Sequence, residues 1–187
     1  MREEAIEAYS YVAKNVYGNA SSLHDVGTSA NDILTTCRVE LASQLNGNKD
    51  GIYFTGSGSE ANHLAIRSLL KGNSEKGTHL ITTNIEHSSI HLLFSQLEKE
   101  GYEVTYLEVN EKGQINIEDV KKAVKRNTCL VSIQHANSEI GTIQPLKEIG
   151  NYLKEANILF HSDCVQSFGK IKLDVTEFNL DSISISA

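Results

Sequence analysis

The chain has 187 residues, enough for one domain with a real core and too few for two large ones. Hydrophobic residues make up 40% and charged residues 22%, and the net charge is −7 with lysines and arginines scattered, which argues against nucleic acid or an anionic membrane as the main partner. Cys37, Cys129 and Cys164 form no CxxC pair and no even-numbered framework, so they read as reduced thiols of a cytoplasmic protein. No apolar run approaches the length of a membrane span, and Met1-Arg2-Glu3-Glu4 does not open a signal peptide.

Residues 1–16 carry Ile6, Tyr9, Ala13 and Val16 at helical spacing and predict a helix. Tyr17-Gly18-Asn19-Ala20-Ser21-Ser22 is a turn-rich break, and a second helix is expected over 23–45, stopped by Asn46-Gly47. From there strands and helices alternate. Strands are predicted over 52–55, 79–82, 104–109, 130–134, 158–160 and 182–186. Helices are predicted over 59–71, 88–100, 117–125 (opened by Asn116) and 145–155 (opened by Pro145). This order implies βαβ units and an α/β fold, a mostly parallel sheet with helices on both faces. Residues 1–47 lie outside the alternation and are expected to form a helical segment packing on a larger α/β domain, 48–187. Ala187 follows a strand with no turn, cap or closing helix, so the chain reads as cut where a functional loop should begin.

In open parallel sheets ligands bind beyond the carboxyl ends of the strands, which selects residues 56–60, 84–87, 135–139 and 163–166. Gly56-Ser57-Gly58-Ser59-Glu60-Ala61 joins a strand to a helix. Its glycines let backbone approach an anion, its serines add hydroxyls, and the helix N-terminus presents free amides, so phosphate is the natural ligand. A plain turn capped by Ser59 explains the same residues without any ligand. The six residues also fit the dinucleotide fingerprint G-x-G-x-x-G/A, but that site needs an acidic residue about twenty positions on, and Glu86 comes late.

His87, at a strand terminus, could stack on a ring or move a proton, or simply cap a helix. With His91 it has metal-ligand spacing, yet no third ligand stands out and no metal site is assigned. Asn137 could donate to a phenolate-like oxygen or hold an Asx turn. Asp163 follows a buried strand, where a carboxylate needs a cationic or hydrogen-bonded partner. A protonated pyridine nitrogen would serve; so would a salt bridge or a helix cap.

Taken in order, these segments resemble one family. Phe54-Thr55-Gly56-Ser57-Gly58-Ser59-Glu60-Ala61-Asn62-His63-Leu64-Ala65-Ile66 is similar to the FTSGATESNNLAI stretch of the cysteine desulfurases. Glu86-His87, His135-Ala136-Asn137-Ser138-Glu139-Ile140-Gly141 and His161-Ser162-Asp163-Cys164-Val165-Gln166-Ser167-Phe168-Gly169-Lys170 resemble its next three motifs, and Gly18-Asn19-Ala20-Ser21-Ser22-Leu23-His24 its opening GNPSSxH. The resemblance covers nearly the whole chain and is closest to the NifS-like branch.

That resemblance implies the large domain of a pyridoxal 5'-phosphate (PLP) enzyme of fold type I, class V. By analogy Gly58, Ser59 and Ser186 would bind the phosphate, and His87 would stack on the pyridine ring and assist proton transfer. Asn137 and Gln166 would bond the phenolic oxygen, and Asp163 would pair with the ring nitrogen. The implied reaction takes sulfur from L-cysteine, leaving L-alanine and a persulfide for a sulfur-acceptor protein in Fe–S cluster or thio-cofactor synthesis, in a homodimeric cytoplasmic enzyme. A selenocysteine lyase or another class V enzyme would look similar over this half; an NAD-type Rossmann domain or a non-catalytic fragment are readings of other classes. There are departures. Gly58-Ser59 stands where Ala-Thr is usual, Ser138 stands where a second Asn is common, and Cys164 replaces a small residue. The family's opening strand, cofactor-holding lysine and persulfide cysteine are not in these residues, so the chain as it stands is expected to be inactive.

Overall fold

Residues 2–186 are described by a computed structural model. The chain divides into two compact units, one ending at Ile52 and the other beginning at Tyr53. In the first, α1 (Glu3–Asn15) buries none of its side chains, and Ile6 and Tyr9 stand exposed. His24 caps α2 (Asp25–Leu45) by accepting from the Gly27 amide, and Asn46 ends it in the left-handed conformation that asparagine tolerates. A 3₁₀ turn, Lys49–Gly51, follows.

The second unit is a three-layer α/β fold. It contains α3 (Gly58–Gly72), β1 (His79–Thr83), α4 (Ser88–Lys99), β2 (Glu103–Leu107), α5 (Ile117–Ala123), β3 (Thr128–Ser132), α6 (Leu146–Glu155), β4 (Leu159–Asp163) and β5 (Ser182–Ser184). The strands form one parallel sheet in the order β2-β1-β3-β4-β5. Strand residues alternate between two cores, as the pleat requires. Leu80, Leu130 and Leu159 join Ile66 and Leu70 of α3 and Ile90, Phe94 and Leu97 of α4 on one face. Ile81, Val131 and Phe160 join Val120 of α5 and Ile149 and Leu153 of α6 on the other. Sheet strands covered on both faces are buried at every position, as β3 is. In α6, a Cβ on Gly150 would stand 1.8 Å from the Phe178 carbonyl oxygen, so the helix reaches this backbone only because that residue is glycine.

One predicted strand is absent. Residues 52–55 form no ladder; Tyr53 and Phe54 are exposed, and no strand among the described residues pairs with them. An apolar β-branched and aromatic run has strand propensity, but a strand exists only through its partner. The last strand also stops at Ser184, leaving Ser186 beyond the sheet.

The chain runs from β1 outward to β2 and then back across β1 to β3. The order therefore reverses between β1 and β3, and the crevice beyond their carboxyl ends is the place where such a sheet receives a ligand.

Candidate active site

Ser57, in extended backbone, caps α3 by accepting from the Glu60 amide at 3.2 Å, while Glu60 Oε2 accepts from the Gly56 amide at 2.6 Å. This reciprocal pair corrects the reading of Ser59 as the cap. Ser59 lies inside the first turn, where the Gly58 and Ser59 amides have no intrahelical acceptor. Free amides, a helix dipole and the Ser59 hydroxyl thus meet at one point. A Cβ on Gly58 would come to 3.2 Å from Val165 Cγ2 and 3.4 Å from Ser186 Cβ, so Ser186 closes the other side of this cradle.

A cavity of about 210 Å³ opens there, lined by Gly58, Ser59, Asn62, His87, Gln134, Ala136, Ser138, Asp163, Val165, Gln166 and Ser186. Asn137 is not among its lining residues. Its Nδ2 donates to the Ile85 carbonyl at 3.2 Å, and its Oδ1 accepts from the Glu139 and Ile140 amides. Gln134 Nε2 donates to the same carbonyl at 2.7 Å. Together they tie the loop after β3 to the loop that carries His87.

At the end of β4, Asp163 is buried. Its Oδ1 accepts from the Val165 amide at 3.0 Å and its Oδ2 from Asn62 Nδ2 at 2.8 Å. Among the described residues no lysine or arginine pairs with it. A buried carboxylate with two N–H donors and no fixed cation is complementary to a cationic ligand group. His87, exposed at the cavity, caps α4: its Nδ1 accepts from the Ser89 amide at 3.2 Å and lies 2.9 Å from Ser89 Oγ. Gln166 reaches the cavity from the turn after Asp163, where its Oε1 accepts from Lys170.

Sequence reasoning missed Asn62 and underrated Glu86. Asn62 is buried on α3, one turn after Ser59, and that helical offset from a predicted ligand loop was the available signal. Glu86 is buried as well. Its Oε1 accepts from Thr83 Oγ1 at 2.8 Å and the Gln134 amide at 2.9 Å, and its Oε2 has no partner. Burial pushes its carboxyl up to about 8 against the pull of those hydrogen bonds, with the Asp163 charge adding to the rise. It is therefore mostly a neutral acid at neutral pH, and not an exposed carboxylate of the kind that binds a ribose. Burial also pushes the Cys164 thiol up to about 12, which leaves it inert as a nucleophile. Among the described residues no cluster of three His, Cys, Asp or Glu could hold a metal ion, and no helix is long and apolar enough to cross a membrane.

The Aminotransferase class-V family profile matches residues 1–187. The cysteine desulfurase IscS of Clostridium botulinum (strain Hall) is 46% identical over 171 residues, 91% of this chain and 43% of its own length. The cysteine desulfurase IscS of Methanosarcina thermophila is 40% identical over 187 residues, 100% of this chain and 46% of its own. Of the solved structures, "SspA in complex with cysteine" superposes with a TM-score of 0.94 at 35% identity, covering 100% of this chain and 54% of that one. A "NIFS-LIKE PROTEIN" gives 0.92 at 30% identity, covering 98% and 52%. The chain spans about half the length of the curated relatives it matches.

Proposed function

Because the chain belongs to the Aminotransferase class-V family, we propose that it forms the cofactor-binding part of a PLP-dependent cysteine desulfurase. The reaction breaks the C–S bond of L-cysteine, forms an S–S bond on an accepting thiol, and returns a proton to the carbon, giving L-alanine and a persulfide for an acceptor protein. The observation that carries this reading is the pairing of opposite chemistries in one cavity: an anion cradle at Gly58, Ser59 and Ser186, and the unpaired, buried Asp163 carboxylate. A cofactor with a phosphate at one end and a protonated pyridine nitrogen at the other fits that donor set. When bound, PLP supplies an electron sink for charge developing at the amino acid's α-carbon.

The chain's own residues would do the rest. The α3 amides and the two serines hold the phosphate. Asp163, whose carboxylate accepts from two N–H donors, would hold the ring nitrogen in its protonated form. His87 would stack on the ring and handle a proton at Nε2, because Nδ1 is engaged by Ser89. Gln166, which lines the cavity, would donate to the phenolic oxygen. Asn137 Nδ2 spends one proton on the Ile85 carbonyl, which ties down the loop carrying His87, and would give its other proton to the phenolic oxygen. None of Cys37, Cys129 and Cys164 is proposed as the accepting thiol: Cys129 and Cys164 are buried and raised above the usual thiol range, and Cys37 belongs to the first unit. Homodimeric assembly and a cytoplasmic setting are part of the same proposal.

The test is to purify the whole protein, add PLP, and measure alanine and sulfide released from L-cysteine beside selenide from L-selenocysteine. Alanine formed at matching rates with sulfide is the expected result. A protein that binds no PLP, or that works on selenocysteine alone, overturns the assignment.

A further inference from the structure

Asn62 makes more side-chain bonds than any other residue lining the cavity. Nδ2 donates to Asp163 Oδ2 at 2.8 Å and to Ser89 Oγ at 3.0 Å; Oδ1 faces His161 Nε2 at 3.2 Å. Its amide orientation follows from chemistry, since a carboxylate that accepts at both oxygens must face the NH₂ group. Oδ1 must then accept, which places the ring proton of His161 on Nε2. His161 Nδ1 in turn takes the Ser182 hydroxyl at 2.8 Å. Buried completely, His161 is held neutral, its pKa lowered to about 3, consistent with a single ring proton spent on Asn62.

The other branch reaches the reacting side of the cavity. With one lone pair of Ser89 Oγ taken by Asn62, the hydroxyl proton points to His87 Nδ1 at 2.9 Å, where the Ser89 amide also donates. Nδ1 is thus an acceptor twice over, and the neutral ring carries its proton on Nε2. We propose that Asn62 is the positioning residue of this site: one amide joins Asp163 to His87 through Ser89, orienting the carboxylate and assigning the roles of the two imidazole nitrogens. An asparagine that merely filled a buried polar space would satisfy its neighbours without setting the state of a ring two bonds away. The proposal rests on the cofactor reading only for its consequence in PLP binding; the assignment of the ring nitrogens stands on the geometry alone.

The experiment uses the whole protein with ¹⁵N-labelled histidine, first free of cofactor, with His87 signals identified through His87→Gln. In the parent protein His87 should show an unprotonated, hydrogen-bonded Nδ1 and a protonated Nε2. Asn62→Leu, similar in volume, and Ser89→Ala should both move the two nitrogens toward averaged values. PLP titrations should then give a dissociation constant at least tenfold higher for Asn62→Leu and a smaller rise for Ser89→Ala, which keeps the bond between Asn62 and Asp163. Unchanged His87 signals in the folded variants overturn the proposal, as does a PLP affinity for Asn62→Leu within twofold of the parent's. Should Asn62→Leu fail to fold, the His87 signals of Ser89→Ala decide alone. A parent protein that binds no PLP defeats the cofactor reading, while the ring nitrogens still judge Asn62.

Discussion

At the scale of single residues, the site depends on a carboxylate kept in the protein interior without a cation of its own. The Val165 amide and Asn62 Nδ2 offset part of its desolvation, and the remainder is available to a cationic ligand. Asp163→Asn keeps the shape and removes the charge. In the whole protein its turnover should fall by about 10²-fold or more, the scale of losing one preorganised electrostatic contact at a reacting centre. Folding stability should change by only about 1 kcal/mol, the worth of a hydrogen bond that is rearranged and not deleted. Steady-state alanine release and urea unfolding of the same preparation separate the two effects. Turnover near the parent's rate would remove Asp163 from the role proposed for it.

At the scale of elements, the two serines at the start of α3 have different duties despite standing two positions apart. Ser57 satisfies the Glu60 amide and belongs to a reciprocal cap with Glu60, whereas Ser59 faces the cavity. Ser57→Ala should therefore lower stability by about 1 kcal/mol, the usual value of an N-cap. Ser59→Ala should leave stability within about 0.5 kcal/mol, as surface changes do, and weaken PLP binding instead. Unfolding curves and PLP titration of the two variants check this; equal effects on both quantities would mean the helix start acts as one unit. The same element-level reasoning explains the loop that carries His87. It is short, and Gln134 and Asn137 both donate to Ile85, so the histidine is held by the loop after β3 as well as by its own helix.

For the whole molecule, buried ionisable groups of opposite type set the pH dependence of stability without cofactor. His161 is lowered to about 3, so the unfolded chain binds the extra proton below pH 6.5 and stability is lost as pH falls from there toward 3. His79 and His135, also lowered by burial, act in the same direction. Glu86 is raised to about 8, so the folded state binds the extra proton above 4.5 and stability is lost as pH rises toward 8. Each group contributes at most about 1.4 kcal/mol per pH unit within its interval. Below 6.5 the two slopes oppose each other; above it Glu86 acts alone. Urea midpoints of the cofactor-free protein should crest at about pH 6, and Glu86→Gln should abolish the decline between pH 6.5 and 8. A decline that persists in this variant would assign the alkaline loss to another group.

Much of this was legible in the residues themselves. Alternating apolar runs and helix caps such as Asn116 are local signals, and they determined the α/β class, the parallel sheet and nearly every element. Motif order determined the family, because several short segments at fixed spacing are far more specific than any one of them. Tertiary structure alone decided the rest. Residues 52–55 have strand composition but join no strand of the sheet among the described residues, and pairing is a non-local property. The roles of Ser57 and Ser59 depended on which residue entered the helix first. Asn62 stands 99 and 101 positions from His161 and Asp163, so nothing in the sequence shows that it shares hydrogen bonds with them. The neutral state of Glu86 came from its burial, a cost that only the packed molecule imposes.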